Sequence, residues 1–245
     1  MKLSANISVC LLAIILLNSC SKTEGEGGMA AITGTVKLRT YSPGFRNILN
    51  EYYAPDVEVY IIYGDEVSYG DRIRTNFDGT YIFRYLRPGD YTIFTYSEDT
   101  SLTTGVDVPV SRQITISGKK DEVVADVIVI ADELDYDDGN SSICGRVYYI
   151  NYQQDLYFVP DVEYFIPDQD VYIIYGDEQT YFERTRTLAD GSYCFTNLIK
   201  GHYTVFAYSE DSTFTSPSGI IAVEREADIE HDNQHIDLNV IRILD

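Results

Sequence analysis

Basic side chains are scarce in this sequence of 245 residues: 18 lysines and arginines stand against 39 aspartates and glutamates, a formal net charge of -21. Such a chain repels phosphate backbones and anionic lipid headgroups. Nucleic acid is therefore excluded as a partner, and so is membrane docking through a polybasic surface. The apolar fraction of 44% is high enough for buried cores, which excludes a wholly disordered chain.

Signatures of catalysis are also missing. The sequence contains no Gly-x-Ser-x-Gly, no glycine-rich phosphate loop and no zinc-binding helix motif, and it has only three histidines. His231 and His235 lie four residues apart, but we interpret their polar surroundings as a solvated loop rather than a metal site. We predict that the protein is not an enzyme and that it needs no cofactor.

The one long apolar run, Val9 to Leu17, is too short to span a bilayer as a mature helix, and it follows Lys2. It predicts a signal peptide over residues 1–19. The run ends in Leu17-Asn18-Ser19-Cys20, which resembles the lipobox of bacterial lipoproteins. An ordinary secretory signal is disfavoured because Ala-x-Ala is absent. The resemblance implies acylation of Cys20, a flexible tether over residues 20–30 and a lipid-anchored, surface-exposed position at a bacterial outer membrane.

The chain contains a tandem duplication. Val59 to Asp99 aligns without gaps with Val171 to Asp211, and 25 of the 41 positions are identical. We expect one domain per copy, over residues 31–131 and 141–245. The acidic segment 132–140 between them is predicted to be an extended, solvated linker.

Apolar residues alternate along each copy, as in the stretch Ile32 to Val36, and this period of two predicts β-strands. Asp78-Gly79 and Asp190-Gly191 lie between such stretches and suit tight hairpin turns. Short strands at regular spacing predict β-sandwiches. One helical pattern predicts a short amphipathic turn in the first long loop, formed by Phe45, Ile48, Leu49 and Tyr52.

Both copies carry Ile-x-Gly-x-Val, at Ile32 to Val36 and Ile143 to Val147, followed by Asp-Gly-x-Tyr-x-Phe-x-x-Leu-x-x-Gly-x-Tyr-Thr. In this order the motifs resemble carboxypeptidase regulatory-like and Cna protein B-type domains. The resemblance implies an all-β fold of two tandem seven-stranded, prealbumin-like (Ig-like) β-sandwiches. It does not define a function, because members of these families serve as stalks, adhesin modules and carbohydrate-binding modules.

The sequence departs from these families in two ways. Many Cna-type domains carry an isopeptide bond from a lysine in the first strand. Lys37 is placed for such a bond in copy one, whereas copy two has Arg146 near that position and no lysine nearby. The loops after the first strand are also long, over residues 40–55 and 150–167.

Cys144 and Cys194 are the two thiols left once the signal is removed and Cys20 is acylated, which favours a disulfide in an exported protein. Strand alternation places both side chains outside the core, so they can meet if their strands are neighbours. Two separate free thiols are the alternative.

The long loops are the predicted recognition surface. Tyrosine offers broad contact area at low entropy cost. The candidate binding residues are Tyr52, Tyr53, Tyr152, Tyr157 and Phe158. The favoured alternative is that the loops fold back and bury these rings, because large exposed aromatic patches are rare.

Two charged patterns admit a functional and a structural interpretation. The duplicated Arg-x-Arg, Arg72/Arg74 and Arg184/Arg186, can grip a carboxylated glycan, but cross-strand pairing with acids is favoured. The expected partners are Asp65, Asp177, Glu98 and Glu210. Calcium binding at Asp132 to Asp138 is disfavoured against a solvated charge run, because the segment lacks a full Asp-x-Asp-x-Asp-Gly loop.

We therefore predict a non-enzymatic surface lipoprotein that acts as a structural spacer or an adhesion and binding module. Its expected partners are the membrane, through the lipid anchor, and a protein or glycan at the cell surface. The alternative function is a carbohydrate-binding accessory lipoprotein of a glycan-uptake system, with the loop tyrosines stacking on sugar rings. A third, an enzyme subunit, predicts a neighbouring catalytic gene.

Overall fold

The computed structural model describes residues 24–150 and 163–244, and within them the backbone is almost entirely β. Eighteen strands and one 3₁₀ turn, Pro43–Phe45, make up the regular structure of these residues. No helix in these two ranges is long and apolar enough to cross a membrane. The all-β fold predicted from the alternation of apolar residues is confirmed.

The chain divides into two compact units. Unit 1 contains the described residues 24–38 and 52–131, and unit 2 contains residues 39–51, 132–150 and 163–244. Each unit has its own hydrophobic core. Residues 39–51 belong to the first sequence repeat but are part of unit 2.

The first repeat contributes nine strands: β1 (Glu26–Tyr41), β2 (Ile48–Tyr53), β3 (Glu58–Tyr63), β4 (Asp71–Arg74), β5 (Thr80–Leu86), β6 (Gly89–Ser97), β7 (Val108–Ile116), β8 (Glu122–Val124) and β9 (Ile128–Glu133). One sheet has the order β2-β1-β5, with β8 and β9 also paired to β1. The other sheet has the order β4-β3-β6-β7. Antiparallel pairing dominates, but β8 runs parallel to β1, with Val123 opposite Ile32.

The second repeat forms the same two sheets from β10 (Ser141–Ile150), β11 (Glu163–Phe165), β12 (Asp170–Tyr175), β13 (Glu183–Arg186), β14 (Ser192–Leu198), β15 (Gly201–Glu210), β16 (Ile220–Ile229), β17 (His235–Asp237) and β18 (Ile241–Leu244). One sheet has the order β11-β10-β14, with β17 and β18 paired in parallel to β10. The other has the order β13-β12-β15-β16. The architecture is therefore duplicated along with the sequence.

Alternate residues of each strand supply the core. In β3, Val59 and Ile61 are fully buried, and a buried side chain of this size contributes about 1.5–3 kcal/mol to stability. Two tyrosines at equivalent positions of the repeats, Tyr91 and Tyr203, are also buried. The Tyr91 hydroxyl donates to the carbonyl of Arg87 at 2.6 Å, which satisfies the polar end of a ring that is otherwise in apolar surroundings.

The number of strands per repeat was predicted as seven and is nine. Each repeat ends in two short strands, β8 and β9 in the first repeat and β17 and β18 in the second. The long loop after the first strand adds β2 or β11. The period of two identifies strand residues, but it does not show where pairing with a neighbouring strand is interrupted.

The helical turn predicted in the first long loop is wrong. Apart from the 3₁₀ turn Pro43–Phe45, the segment forms strand β2, which pairs with β1. Leu49 packs against the core of unit 2, whereas Ile48 and Tyr52 are exposed. The i, i+3, i+4 spacing of four apolar residues was therefore coincidental, and pairing with β1 determined the backbone conformation.

Segment 132–140 also differs from the extended, solvated linker that its acidity predicts. Leu134 and Tyr136 pack against the core of unit 2. The Tyr136 ring stacks on Phe182 with 4.5 Å between ring centroids, and its hydroxyl donates to Glu178 at 2.6 Å. Two apolar side chains among the acids thus pack on unit 2, and the amide of Gly139 also donates to the carbonyl of Asn197 at 2.7 Å.

Candidate functional site

The most distinctive surface of each unit is the outer side of its four-stranded sheet. In unit 1 it carries a cluster of four aromatic rings: Tyr60, Tyr69, Phe94 and Tyr96. In unit 2 the equivalent cluster contains Tyr172, Tyr181, Phe206 and Tyr208. We call each cluster an aromatic face. The pleat explains its position, because Val59 and Ile61 point into the core and Tyr60 between them points out.

Strand register assembles the centre of the face in unit 1. Tyr60 on β3 lies opposite Phe94 on β6, and their rings stack with centroids 5.0 Å apart and planes 16° apart. Tyr96 packs edge-on against both rings, at 5.8 Å from Tyr60 and 5.6 Å from Phe94. Tyr69, from the loop between β3 and β4, packs edge-on against Tyr60 at 5.0 Å.

Unit 2 repeats this arrangement closely. Tyr172 lies opposite Phe206, and the two rings stack at 5.1 Å with planes 17° apart. Tyr181 and Tyr208 flank Tyr172 at 4.8 and 5.4 Å. Aromatic pairs of this kind contribute about 0.5–1.5 kcal/mol beyond the area they bury, so each cluster stabilises its sheet.

The flanking tyrosines carry most of the accessible surface of the face. Tyr69 and Tyr96 are 50% and 48% exposed, and Tyr181 and Tyr208 are 49% and 48% exposed. The central Phe206, by contrast, is buried. Each unit therefore presents two half-exposed tyrosine rings that flank a stacked aromatic pair.

The two Arg-x-Arg motifs border the aromatic faces, because Arg72 on β4 lies opposite Tyr60 and Arg184 on β13 lies opposite Tyr172. Arg72 pairs with Glu58 at 3.1 Å, and Arg74 pairs with Asp56 at 2.9 Å and with Glu58 at 3.1 Å. All the carboxylates in these pairs lie on β3 or just before it.

In unit 2, Arg184 and Arg186 share the carboxylate of Asp170, at 3.2 and 3.0 Å. Cross-strand pairing with acids is thus observed, but the partners predicted from the sequence are wrong. The register places Glu58 and Asp170, rather than Asp65, Asp177, Glu98 or Glu210, beside the arginines.

Hydrogen bonds connect the arginine border to the central ring. The Tyr60 hydroxyl donates to Glu58 at 2.6 Å, and this bond, followed by the bond from Arg74, lowers the pKa of the Glu58 carboxyl. The same bond to Glu58, together with burial, raises the pKa of Tyr60. Near neutral pH the Glu58 carboxylate is therefore ionised and lies beside the neutral phenol of Tyr60.

These aromatic faces were missed in the sequence, although a signal was present. Each ring of unit 1 has an aromatic counterpart 112 positions later in the sequence, and each of the two arginines has an arginine at the same offset. The strand rings occupy outward positions, between residues assigned to the core. Outward strand positions that are aromatic in both repeats are therefore the pattern that identifies the aromatic faces.

The loop residues predicted for binding are only partly described. Tyr52 and Tyr53 lie at the end of β2 and are 47% and 55% exposed, so the favoured burial of these two rings is wrong. The ammonium group of Lys37 lies 5.4 Å from the centroid of the Tyr53 ring. Tyr152, Tyr157 and Phe158 lie outside the described residues.

The predicted disulfide is present. Cys144 on β10 lies directly opposite Cys194 on β14, and their side chains form a bond that crosses neighbouring strands of one sheet. Cys194 is exposed and Cys144 is partly buried, as the strand alternation predicts. The predicted signal peptide and lipidation site, residues 1–19 and Cys20, lie outside the described residues.

The sites considered for metals show no cluster of ligands. Within residues 24–150 and 163–244, no group of three or more His, Cys, Asp or Glu side chains is arranged to hold a metal ion. His235 instead shares a hydrogen bond of 2.8 Å with the Ser142 hydroxyl, and His231 is largely exposed. In the acidic segment, burial raises the pKa of Asp132, and the nearby Asp138 raises it further.

No protein-family model matches the sequence, and no curated protein matches it. Several solved structures show weak similarity. The Bacillus anthracis TIE protein is 15% identical with a TM-score of 0.30, and the match covers 87% of this chain and 35% of that protein. A streptococcal ancillary pilin is 10% identical with a TM-score of 0.28, covering 86% of this chain and 62% of the pilin.

The minor pilin of Streptococcus agalactiae is also 10% identical with a TM-score of 0.28, and the match covers 88% of this chain and 95% of the pilin. The chain thus spans about a third of the anthrax protein and less than two thirds of the ancillary pilin. At these identities and scores the similarity carries no conclusion about function.

Proposed function

We propose that this protein is a non-enzymatic surface lipoprotein whose two sandwiches act as an adhesion and binding module. The observation that carries the proposal is the duplication of the aromatic face. Both units present two half-exposed tyrosines and an arginine border on the outside of a sheet. Tyrosine and arginine are the residues enriched where proteins bind their partners.

A position outside the cytoplasm supports this function. The Cys144–Cys194 disulfide is of the kind that forms and persists in an oxidising compartment. The lipobox-like motif at Cys20 supports a lipid anchor at the bacterial outer membrane. The flexible tether predicted over residues 20–30 is wrong for its second half, because β1 begins at Glu26 and Ala30 is buried in the core of unit 1.

A second candidate function is carbohydrate binding. The observation that favours it is the combination, on each face, of exposed tyrosine rings with charged groups that form hydrogen bonds, such as Arg72 and Glu58. In this form of the proposal the binding surface is the outer side of the four-stranded sheets. The loop tyrosines Tyr52 and Tyr53 then form a separate, competing site.

The anchor is tested by mass spectrometry of the mature amino terminus after expression of the whole chain, with its leader, in a Gram-negative host. We expect the chain to begin at an acylated Cys20, and Cys20→Ala to release the protein from the membrane fraction. A free amino terminus at another residue, or unchanged membrane partitioning of Cys20→Ala, contradicts the anchor.

The binding role is tested with cells that display the protein. Their adhesion is measured on surfaces coated with polysaccharides or with extracellular glycoproteins. We expect adhesion that depends on the protein and that falls when Tyr96 and Tyr208 are both replaced by alanine. The control is Tyr85→Ala, which removes an exposed ring from β5 on the other sheet. Equal adhesion of cells with and without the protein contradicts the proposal.

A further inference from the structure

We infer that both aromatic faces bind the same ligand class, a neutral polysaccharide made of repeating pyranose units. The contact rings are Tyr69 and Tyr96 in unit 1 and Tyr181 and Tyr208 in unit 2. This inference rests on the proposed binding function, and it adds the ligand chemistry and the contact residues. Four observations lead to it: the ring geometry, the polar border, the net charge and the duplication.

The ring geometry suits the apolar side of a sugar. A phenol ring carries negative charge on its face, and the axial C–H groups of a pyranose carry partial positive charge and form a flat apolar surface. Tyr69 and Tyr96 are set at 65° and 76° to the plane of Tyr60, so they are not stacked on the central pair. Their half-exposed surfaces therefore remain accessible to a ligand.

The polar border suits the hydroxyl groups of a sugar. A guanidinium donates several hydrogen bonds from one plane, and a carboxylate accepts several in one plane. Arg72 beside Glu58, and Arg184 beside Asp170, place both kinds of group next to the rings. The arginine side chains are 55% and 48% exposed while they form these pairs, so a hydroxyl-bearing ligand can approach them from solvent.

The net charge of the protein indicates which class of sugar polymer can bind. The chain carries -21 charges, and the carboxylates of Asp56, Glu58 and Asp170 already pair with the arginines of the two faces. A polymer of uronic or sialic acids meets both long-range repulsion and competition for these guanidinium groups. A neutral pyranose polymer meets neither, so the ligand class is neutral.

The duplication favours a polymer over a single compact ligand. Two nearly identical sites in one chain suit a ligand with repeating units. Once one site has bound such a polymer, the second site meets further units of the same polymer at high effective concentration. A protein partner of ordinary size instead needs about 800 Å² of its surface buried, around a continuous apolar centre. Each face offers two half-exposed rings bordered by ion pairs, and the central Phe206 of unit 2 is buried.

The inference is tested by affinity gel electrophoresis of the full mature chain. The probes are soluble xylan, mixed-linkage β-glucan and galactomannan, with polygalacturonate as the acidic comparison. We expect retardation by at least one neutral polymer and none by polygalacturonate. Tyr96→Ala with Tyr208→Ala should weaken the binding by about tenfold or more, since this double variant removes one of the two exposed contact rings from each face.

Three further variants identify the surface that binds. Tyr96→Phe keeps the ring and should retain binding, and Tyr85→Ala should bind like the wild type. Tyr52→Ala with Tyr53→Ala tests the competing loop site, and a loss of binding confined to that variant overturns the assignment to the aromatic faces. Thermal unfolding of every variant verifies that the sheets are intact.

The other outcomes separate this inference from the proposed function. If no neutral polymer binds, but the protein adheres to a glycoprotein surface through Tyr96 and Tyr208, the ligand class is wrong and the proposed function stands. If the neutral polymers bind the double alanine variant as tightly as the wild type, the assignment of the site is wrong. If neither polymer binding nor adhesion is found, both proposals fail.

Discussion

Tyr81 lies directly across the strand pair from Gly34, and its phenol ring covers the glycine so closely that a β-carbon at Gly34 would overlap the ring. The second repeat has the same arrangement, in which a β-carbon at Gly145 would lie 2.5 Å from the hydroxyl oxygen of Tyr193. The glycine of Ile-x-Gly-x-Val and the tyrosine of Asp-Gly-x-Tyr are therefore two halves of one packing contact.

Replacing Gly34 by alanine should destabilise unit 1. The added methyl group forces the buried Tyr81 ring out of its position, and overpacking of this kind costs about 1–3 kcal/mol. The measurement is the free energy of unfolding in urea. The loss of unfolding free energy caused by Gly34→Ala should be smaller in a Tyr81→Leu background, where the ring is absent. Equal losses in the two backgrounds would show that contact with Tyr81 is not the reason for a glycine at position 34.

Asp99 organises the loop between β6 and β7, and Asp211 does the same between β15 and β16. The Asp99 carboxylate accepts hydrogen bonds from the hydroxyl of Ser101 and from the amides and hydroxyls of Thr103 and Thr104. These bonds, with that from Ser101 the strongest influence, hold the pKa of Asp99 well below its usual range.

A depressed pKa means that the folded loop favours the ionised form. The ionised Asp99 carboxylate stabilises the loop at every pH above the pKa of an unfolded aspartate, about 3.9. This stabilisation is lost as the pH falls through the lower pKa of Asp99 in the folded protein. We expect the amides of Thr103 and Thr104 to stay protected from hydrogen exchange down to about pH 4. Asp99→Asn should lose protection at pH 7, whereas Asp107→Asn, an exposed neighbour, should not.

The disulfide should stabilise unit 2 selectively. Cys144 and Cys194 are separated by 50 residues, and closing a loop of this length contributes about 4 kcal/mol in the chain-entropy model. Calorimetry of the whole chain with and without reductant should show a lower unfolding temperature for unit 2. Unit 1, with Thr33 and Ile82 at the equivalent positions, is the internal control, and an equal shift of both units would contradict this account.

Residues 132–140 should be required for the full stability of unit 2. Tyr136 stacks on Phe182 and donates a hydrogen bond to Glu178, and Leu134 packs beside it. A fragment of residues 132–245 should therefore unfold at a higher urea concentration than residues 141–245. Tyr136→Ala should remove most of that difference, about 2 kcal/mol for a half-buried aromatic ring. Identical midpoints for the two fragments would restore the linker interpretation.

Most of the strands could be predicted from the sequence because their signal is local. Val59, Tyr60 and Ile61 alternate between core and surface within three positions, and this alternation needs no knowledge of other strands. The Cys144–Cys194 pair was predictable for a related reason, since alternation places both side chains on the outer side of their strands. The duplication supplied an internal comparison for each of these inferences.

The aromatic faces and the extent of unit 2 were decided by tertiary structure. Tyr60, Arg72 and Phe94 form one row only because the registers of β3 with β4 and of β3 with β6 align them. Register depends on pairing between strands that are distant in the sequence, so a local period cannot specify it. Leu49 likewise joined the core of unit 2, where burial of its side chain outweighed the helical spacing around it. The sequence by itself thus determined which residues form strands and which side of each strand is apolar, and only long-range pairing determined which outward side chains meet.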